Sequence, residues 1–74
     1  MLEQVKRTLL NYADVDPSTI TADTDLIRDL KLNSYDFVAM IGEFEDSYGI
    51  EIPEDKLMEI HTVGDIAKYL SDNT

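Results

Sequence analysis

The chain has 74 residues, 43% of them hydrophobic, and sixteen acids against six Lys and Arg give it a formal net charge of −10. That length fits a single domain spanning 1–74, the apolar share fits a folded one, and the charge opposes direct binding to nucleic-acid phosphates. With no cysteine, disulfides, thiolate nucleophiles and cysteine-based zinc sites are excluded, and the apolar runs are too short for a signal peptide or a membrane span, so a cytoplasmic address is expected.

Leu2, Val5, Leu9 and Tyr12 recur at helical spacing, which predicts an amphipathic first helix over 2–13. Asp14-Val-Asp-Pro-Ser breaks it. Residues 14–33 then form a long connection, whose Val15, Ile20, Leu26, Ile27, Leu30 and Leu32 are expected to pack it onto the helices, with a short helical turn around Asp25 to Leu30. The second helix is the most clearly patterned. Phe37, Ile41, Phe44 and Tyr48 form one stripe flanked by Val38 and Met40, and Tyr35, Asp36, Ala39, Glu43 and Asp46 fall on the opposite face. Asn33 is the expected N-cap and Gly49 the stop. Gly42 inside this helix costs about 1 kcal/mol relative to Ala, which points to a close approach or a tolerated weakness.

Ile50-Glu-Ile-Pro alternates like a strand but has no partner strand, so an extended link is expected. Pro53 opens a short third helix through about Ile60, and Thr62 caps a fourth, with Asp65 at capping-box spacing. The expected fold is all-α: a small four-helix bundle with a long loop between helices 1 and 2 and a short third helix.

Acidity is concentrated. Residues 36–59 hold eight acids and one base, a local charge of −7. Such a face attracts basic partners, although acids also simply keep a small protein in solution.

Three chemistries can be weighed on the residues. A serine hydrolase would need Ser34, the lone His61 and an acid to converge beside an oxyanion hole, in a bundle with little room for a pocket. A calcium loop starting at Asp14 would need Gly and Glu where Thr19 and Asp25 stand, so the EF-hand pattern fails. Ser34 opens the second helix, where a phosphate ester would meet free backbone N–H groups and the positive end of the helix dipole. Serine is also a common helix-start residue without any such role.

Leu32-Asn-Ser-Tyr-Asp-Phe-Val-Ala-Met-Ile-Gly-Glu-Phe-Glu-Asp-Ser-Tyr-Gly-Ile-Glu-Ile-Pro resembles the acyl carrier protein family around its modified serine. Asp23-Thr-Asp-Leu-Ile-Arg-Asp-Leu resembles the loop before that serine, and Thr62-Val-Gly-Asp-Ile-Ala-Lys-Tyr-Leu the last helix. The resemblance covers nearly the whole chain. It implies a carrier, not an enzyme, in which a phosphopantetheinyl transferase attaches phosphopantetheine from coenzyme A to Ser34. Acyl groups would ride on that arm as thioesters, most readily in fatty-acid or related acyl biosynthesis. Acyl-transferring or synthase enzymes would dock basic patches on Asp36, Glu43 and Asp46, with Asn33 and Tyr35 beside the serine. In many family members the core opens to shelter an acyl chain, and here Phe37, Ile41, Phe44, Leu9 and Leu70 would line it. A monomer without nucleic-acid or membrane partners is expected. Asn33 stands where the family has Asp, Tyr35 where it has Leu, Ala39 where an acid is usual and Gly42 where a larger residue often sits. These departures imply a specialised set of partners. Polyketide, nonribosomal-peptide and aminoacyl carriers share the pattern, and an unmodified acidic interaction module is the alternative of another class.

Overall fold

Val5 and Leu9 anchor the first helix, α1 (Leu2–Leu9), and both are fully buried. The computed structural model describes residues 1–74, in which α1 is followed by a single 3-10 turn (Pro17–Thr19), α2 (Ser34–Tyr48), α3 (Glu54–Leu57) and α4 (Val63–Asn73). The all-α bundle with its long first connection and short third helix is the one expected. Two helices are shorter than their periodicity predicts. Past Leu9 the chain tightens, with Asn11 N–H donating to Thr8 O and Tyr12 N–H to Leu9 O, so residues 10–13 continue the apolar stripe as turns rather than helix. Beyond Leu57 the same tightening occurs, through Glu59 N–H to Lys56 O and Ile60 N–H to Leu57 O.

Phe44 of α2, Leu9 of α1, and Ile66 and Leu70 of α4 are fully buried within one core of fifteen apolar residues. Each such side chain contributes about 1.5–3 kcal/mol of transfer free energy. The helix ends are satisfied locally. Asn33 Oδ1 accepts from Asp36 N–H at 2.7 Å, and Gly49 at φ 64° closes α2 with its N–H on Glu45 O. Thr62 and Asp65 form a complete capping box at the start of α4.

The connection over residues 10–33 is built from hydrogen-bonded turns. Ile20, Leu26, Leu30 and Leu32 are buried as expected and Val15 is half-buried, but Ile27 is 54% exposed. The reason is the tight turn around it. Asp25 Oδ1 takes the N–H groups of Ile27 and Arg28, and Asp29 Oδ2 takes that of Asp25, which directs Leu26 inward and Ile27 outward. No α-helix forms there.

This segment is bolted to the start of α4. Leu26 N–H donates to His61 O at 2.9 Å, Val63 N–H to Thr24 O at 3.0 Å and Gly64 N–H to Ala22 O at 2.8 Å. The approach at Gly64 is so close that a Cβ there would lie 2.8 Å from Ala22 O, hence the glycine. The 50–53 link is extended, with Ile52 buried and its N–H held by Glu45 Oε2 at 2.8 Å.

Candidate functional site

Ser34 is the first residue of α2 and lies on the surface. Its hydroxyl makes no hydrogen bond within the protein, since the side-chain bonds around it belong to Asn33 and to the turn over Asp25–Asp29. The N–H groups of Ser34 and Tyr35 are likewise unpartnered, because Asn33 caps only Asp36 and the Asn33 carbonyl receives Phe37 N–H. An ester phosphate on Oγ would therefore meet two free donors at the positive end of a fifteen-residue helix. This donor set fits a phosphopantetheine arm.

The backbone leading to Ser34 is strained at one residue. Lys31 has a φ of 57°, a left-handed conformation costing about 1–2 kcal/mol in a residue with a Cβ. The preceding turn is held electrostatically as well as sterically. The Arg28 N–H, with help from that of Ile27, holds the Asp25 carboxyl below its ordinary range.

Along α2 the outward face departs from the pattern read in the sequence. Tyr35 is 82% exposed and Val38, placed by its periodicity beside the apolar stripe, is 66% exposed. Ala39 is half-buried and Asp46 exposed. Asp36 and Glu43 are only half-exposed, on the side of α2 that turns toward α1. There Tyr12 OH donates to Glu43 Oε1 at 2.9 Å, a pairing that holds the phenol's pKa above its ordinary value. Five sequence-identified residues thus flank Ser34 or follow it on one helix, but only Tyr35, Asn33 and Asp46 are fully on the surface. Val38 was missed because, at about 100° per residue, it lies about a quarter-turn from the centre of the apolar stripe and counts as a flank by periodicity alone. A Cβ on Gly42 would meet nothing within 4 Å. Of the two explanations for that glycine, the close approach is ruled out.

The other sequence candidates serve the backbone. Asp16 accepts Ser18 N–H and Oγ–H, which lowers its pKa. His61 is exposed, and its N–H and carbonyl are used by Asp65 Oδ2 and Leu26 N–H. No hydrogen bond joins it to Ser34. A groove of about 440 Å³ lies between α3 and α4, lined among others by Lys56, Lys68, Tyr69 and Asp72, and none of its lining comes from α2. Phe37, Ile41, Phe44, Leu9 and Leu70 do share one core, with Phe37 at its edge, as ordinary side-chain packing. No helix is long and apolar enough to cross a membrane.

Comparison with known proteins covers nearly the whole chain. The family model described as "Phosphopantetheine attachment site" matches residues 3–70. An acyl carrier protein of Caulobacter vibrioides is 36% identical over 74 residues, covering 100% of this chain and 95% of that protein. One from Helicobacter acinonychis is 33% identical over 73 residues, covering 99% and 94%. Among solved structures, an acyl carrier protein from Enterococcus faecalis superposes with a TM-score of 0.86 at 27% identity, covering 99% of this chain and 92% of that one.

Proposed function

The chain belongs to the acyl carrier protein family, and on that premise we propose that Ser34 is the residue to which its phosphopantetheine is attached. Its function is to carry acyl groups, with phosphopantetheine as the prosthetic group. When bound, that group supplies the thiol the chain lacks, on which acyl groups are held as thioesters. The observation that carries the assignment to Ser34 is its exposed hydroxyl, free of internal hydrogen bonds, at the first residue of the longest helix. The protein's own residues have a limited task. Asn33 fixes the start of α2, the Ser34 and Tyr35 N–H groups would hold the phosphate, and the core holds the helix that would present it. The likeness to acyl carrier proteins supports reading the chain as a carrier and not as an enzyme.

A phosphopantetheinyl transferase loads it, and acyl-transferring or synthase enzymes of fatty-acid or related acyl biosynthesis unload it, in the cytoplasm and with the carrier as a monomer. Their basic patches meet Asp46 and the half-exposed Asp36 and Glu43, while Tyr35 and Val38 offer apolar surface beside the serine. The test is a mass measurement. Incubation with a phosphopantetheinyl transferase and coenzyme A should add one phosphopantetheine to the wild-type chain and none to Ser34→Ala. An unmodified wild type, or a modified Ser34→Ala, would overturn the assignment.

A further inference from the structure

Lys31 is the only residue besides glycine with a positive φ. Glycine occupies such a position without steric cost, and Asn or Asp with little, so a lysine there calls for a reason. Its charge is also uncommitted. Lys6 lies beside Glu3, Arg28 beside Asp29 and Lys56 beside Glu59, whereas Lys31 is exposed and, like Arg7 and Lys68, belongs to none of the three ion pairs.

Its place in the chain limits what that charge can serve. Ser34 lies three positions after Lys31, at most about 10 Å of chain. Of the two between them, Leu32 is buried and Asn33 spends its side-chain oxygen on Asp36 N–H. No carboxylate intervenes in sequence. On the other side of Ser34 the charge is reversed, because Asp36 opens a segment of −7. A phosphodiester on Ser34 thus adds an anion at the seam between a free cation and an acidic helix, in a chain already at −10. The helix N-terminus offsets part of that repulsion. A flexible four-carbon stem with a compact ammonium can offset more.

We propose that Lys31 is a positioning residue for the arm: its ammonium pairs with the phosphate on Ser34 and holds the first segment of the arm against the 25–33 loop, away from the acidic side of α2. This inference rests on Ser34 being the attachment point. The pairing is a charge-assisted contact at the surface, so it weakens as salt rises. It also gives the left-handed lysine a return that exists only in the loaded protein.

The full chain is compared in its unloaded and loaded forms, as wild type, Lys31→Gly and Lys31→Arg. Glycine accepts the backbone and removes the charge, while arginine keeps the charge. Two quantities are read: the phosphorus NMR resonance of the phosphodiester, and the change in Tm on loading. In the wild type and Lys31→Arg the resonance should move between low salt and about 1 M salt, and in Lys31→Gly it should stay at the wild type's high-salt position. Loading should also favour Tm more in the wild type than in Lys31→Gly, although Lys31→Gly has the higher Tm when unloaded. The same resonance and the same loading effect in wild type and Lys31→Gly would overturn the proposal. A wild type that gains no mass would instead remove the attachment assignment, and this inference with it.

Discussion

Tyr12 OH and Glu43 Oε1 are joined by a 2.9 Å hydrogen bond that spans 31 positions of sequence and ties the end of the α1 segment to the middle of α2. One of the acids that the sequence assigns to docking is therefore already engaged inside the molecule. Tyr12→Phe should lower Tm by a few degrees and release Glu43 to solvent, so that binding to a basic partner becomes more salt-dependent, as read by titration at two ionic strengths. The phenol's pKa is raised first by the bond to Glu43 and then by burial. A raised folded-state pKa means that its contribution to stability is complete below the unfolded value near 10 and is lost as pH climbs through the folded value. Thermal melts above pH 10 should show a loss in the wild type that Tyr12→Phe lacks.

Capping at position 33 can be separated from the effect of a charge there. Asn33→Ala removes the 2.7 Å bond to Asp36 N–H and should cost about 1 kcal/mol, or roughly 4–8 °C in Tm for a domain of this size. Asn33→Asp keeps an acceptor and adds the charge that the acyl carrier family usually has there. It should leave Tm near that of the wild type while raising the rate of phosphopantetheine transfer.

The two helical glycines should respond in opposite directions. Gly42→Ala adds a methyl group to open space and should stabilise the chain by about 0.5–1 kcal/mol. Gly64→Ala forces a methyl against Ala22 O and should destabilise it by about 1–3 kcal/mol. Denaturant titration measures both.

At low pH the capping carboxylates should fail first. The His61 N–H, followed by Thr62, holds the Asp65 carboxyl below its ordinary value despite partial burial, and Asp25 and Asp16 are lowered by backbone N–H groups in the same way. A lowered folded-state pKa gives stability that is present above the unfolded value near 4 and lost as pH falls through the folded values. Stability should decline from about pH 4 downward, and Asp65→Asn should be less stable at pH 7 but show a shallower acid decline.

Where periodicity was long, the sequence was enough. The stripe of Ile41 and Phe44, the Asn33 and Thr62 caps and the Gly49 stop all stand where their residue types require. It fell short where the decision was tertiary. Val38 and Ile27 are apolar residues left outside by the twist of a helix and by a turn closed with Asp25. Glu43 carries charge toward solvent in the helical projection, yet Tyr12, 31 residues earlier, claims it. The strained φ of Lys31 has no signature in composition at all.

The bolt between residues 22–26 and 61–64 also sets an order of events during synthesis. The carbonyls of Ala22 and Thr24 and the N–H of Leu26 find their backbone partners in Gly64, Val63 and His61, so the loop before Ser34 cannot settle fully until the start of α4 has left the ribosome. Closing a loop of that length is a late step, gained only once distant contacts reward it. A modifying enzyme that recognises the ordered loop would consequently pass over nascent chains. Loading would be confined to chains from which the start of α4 has already emerged.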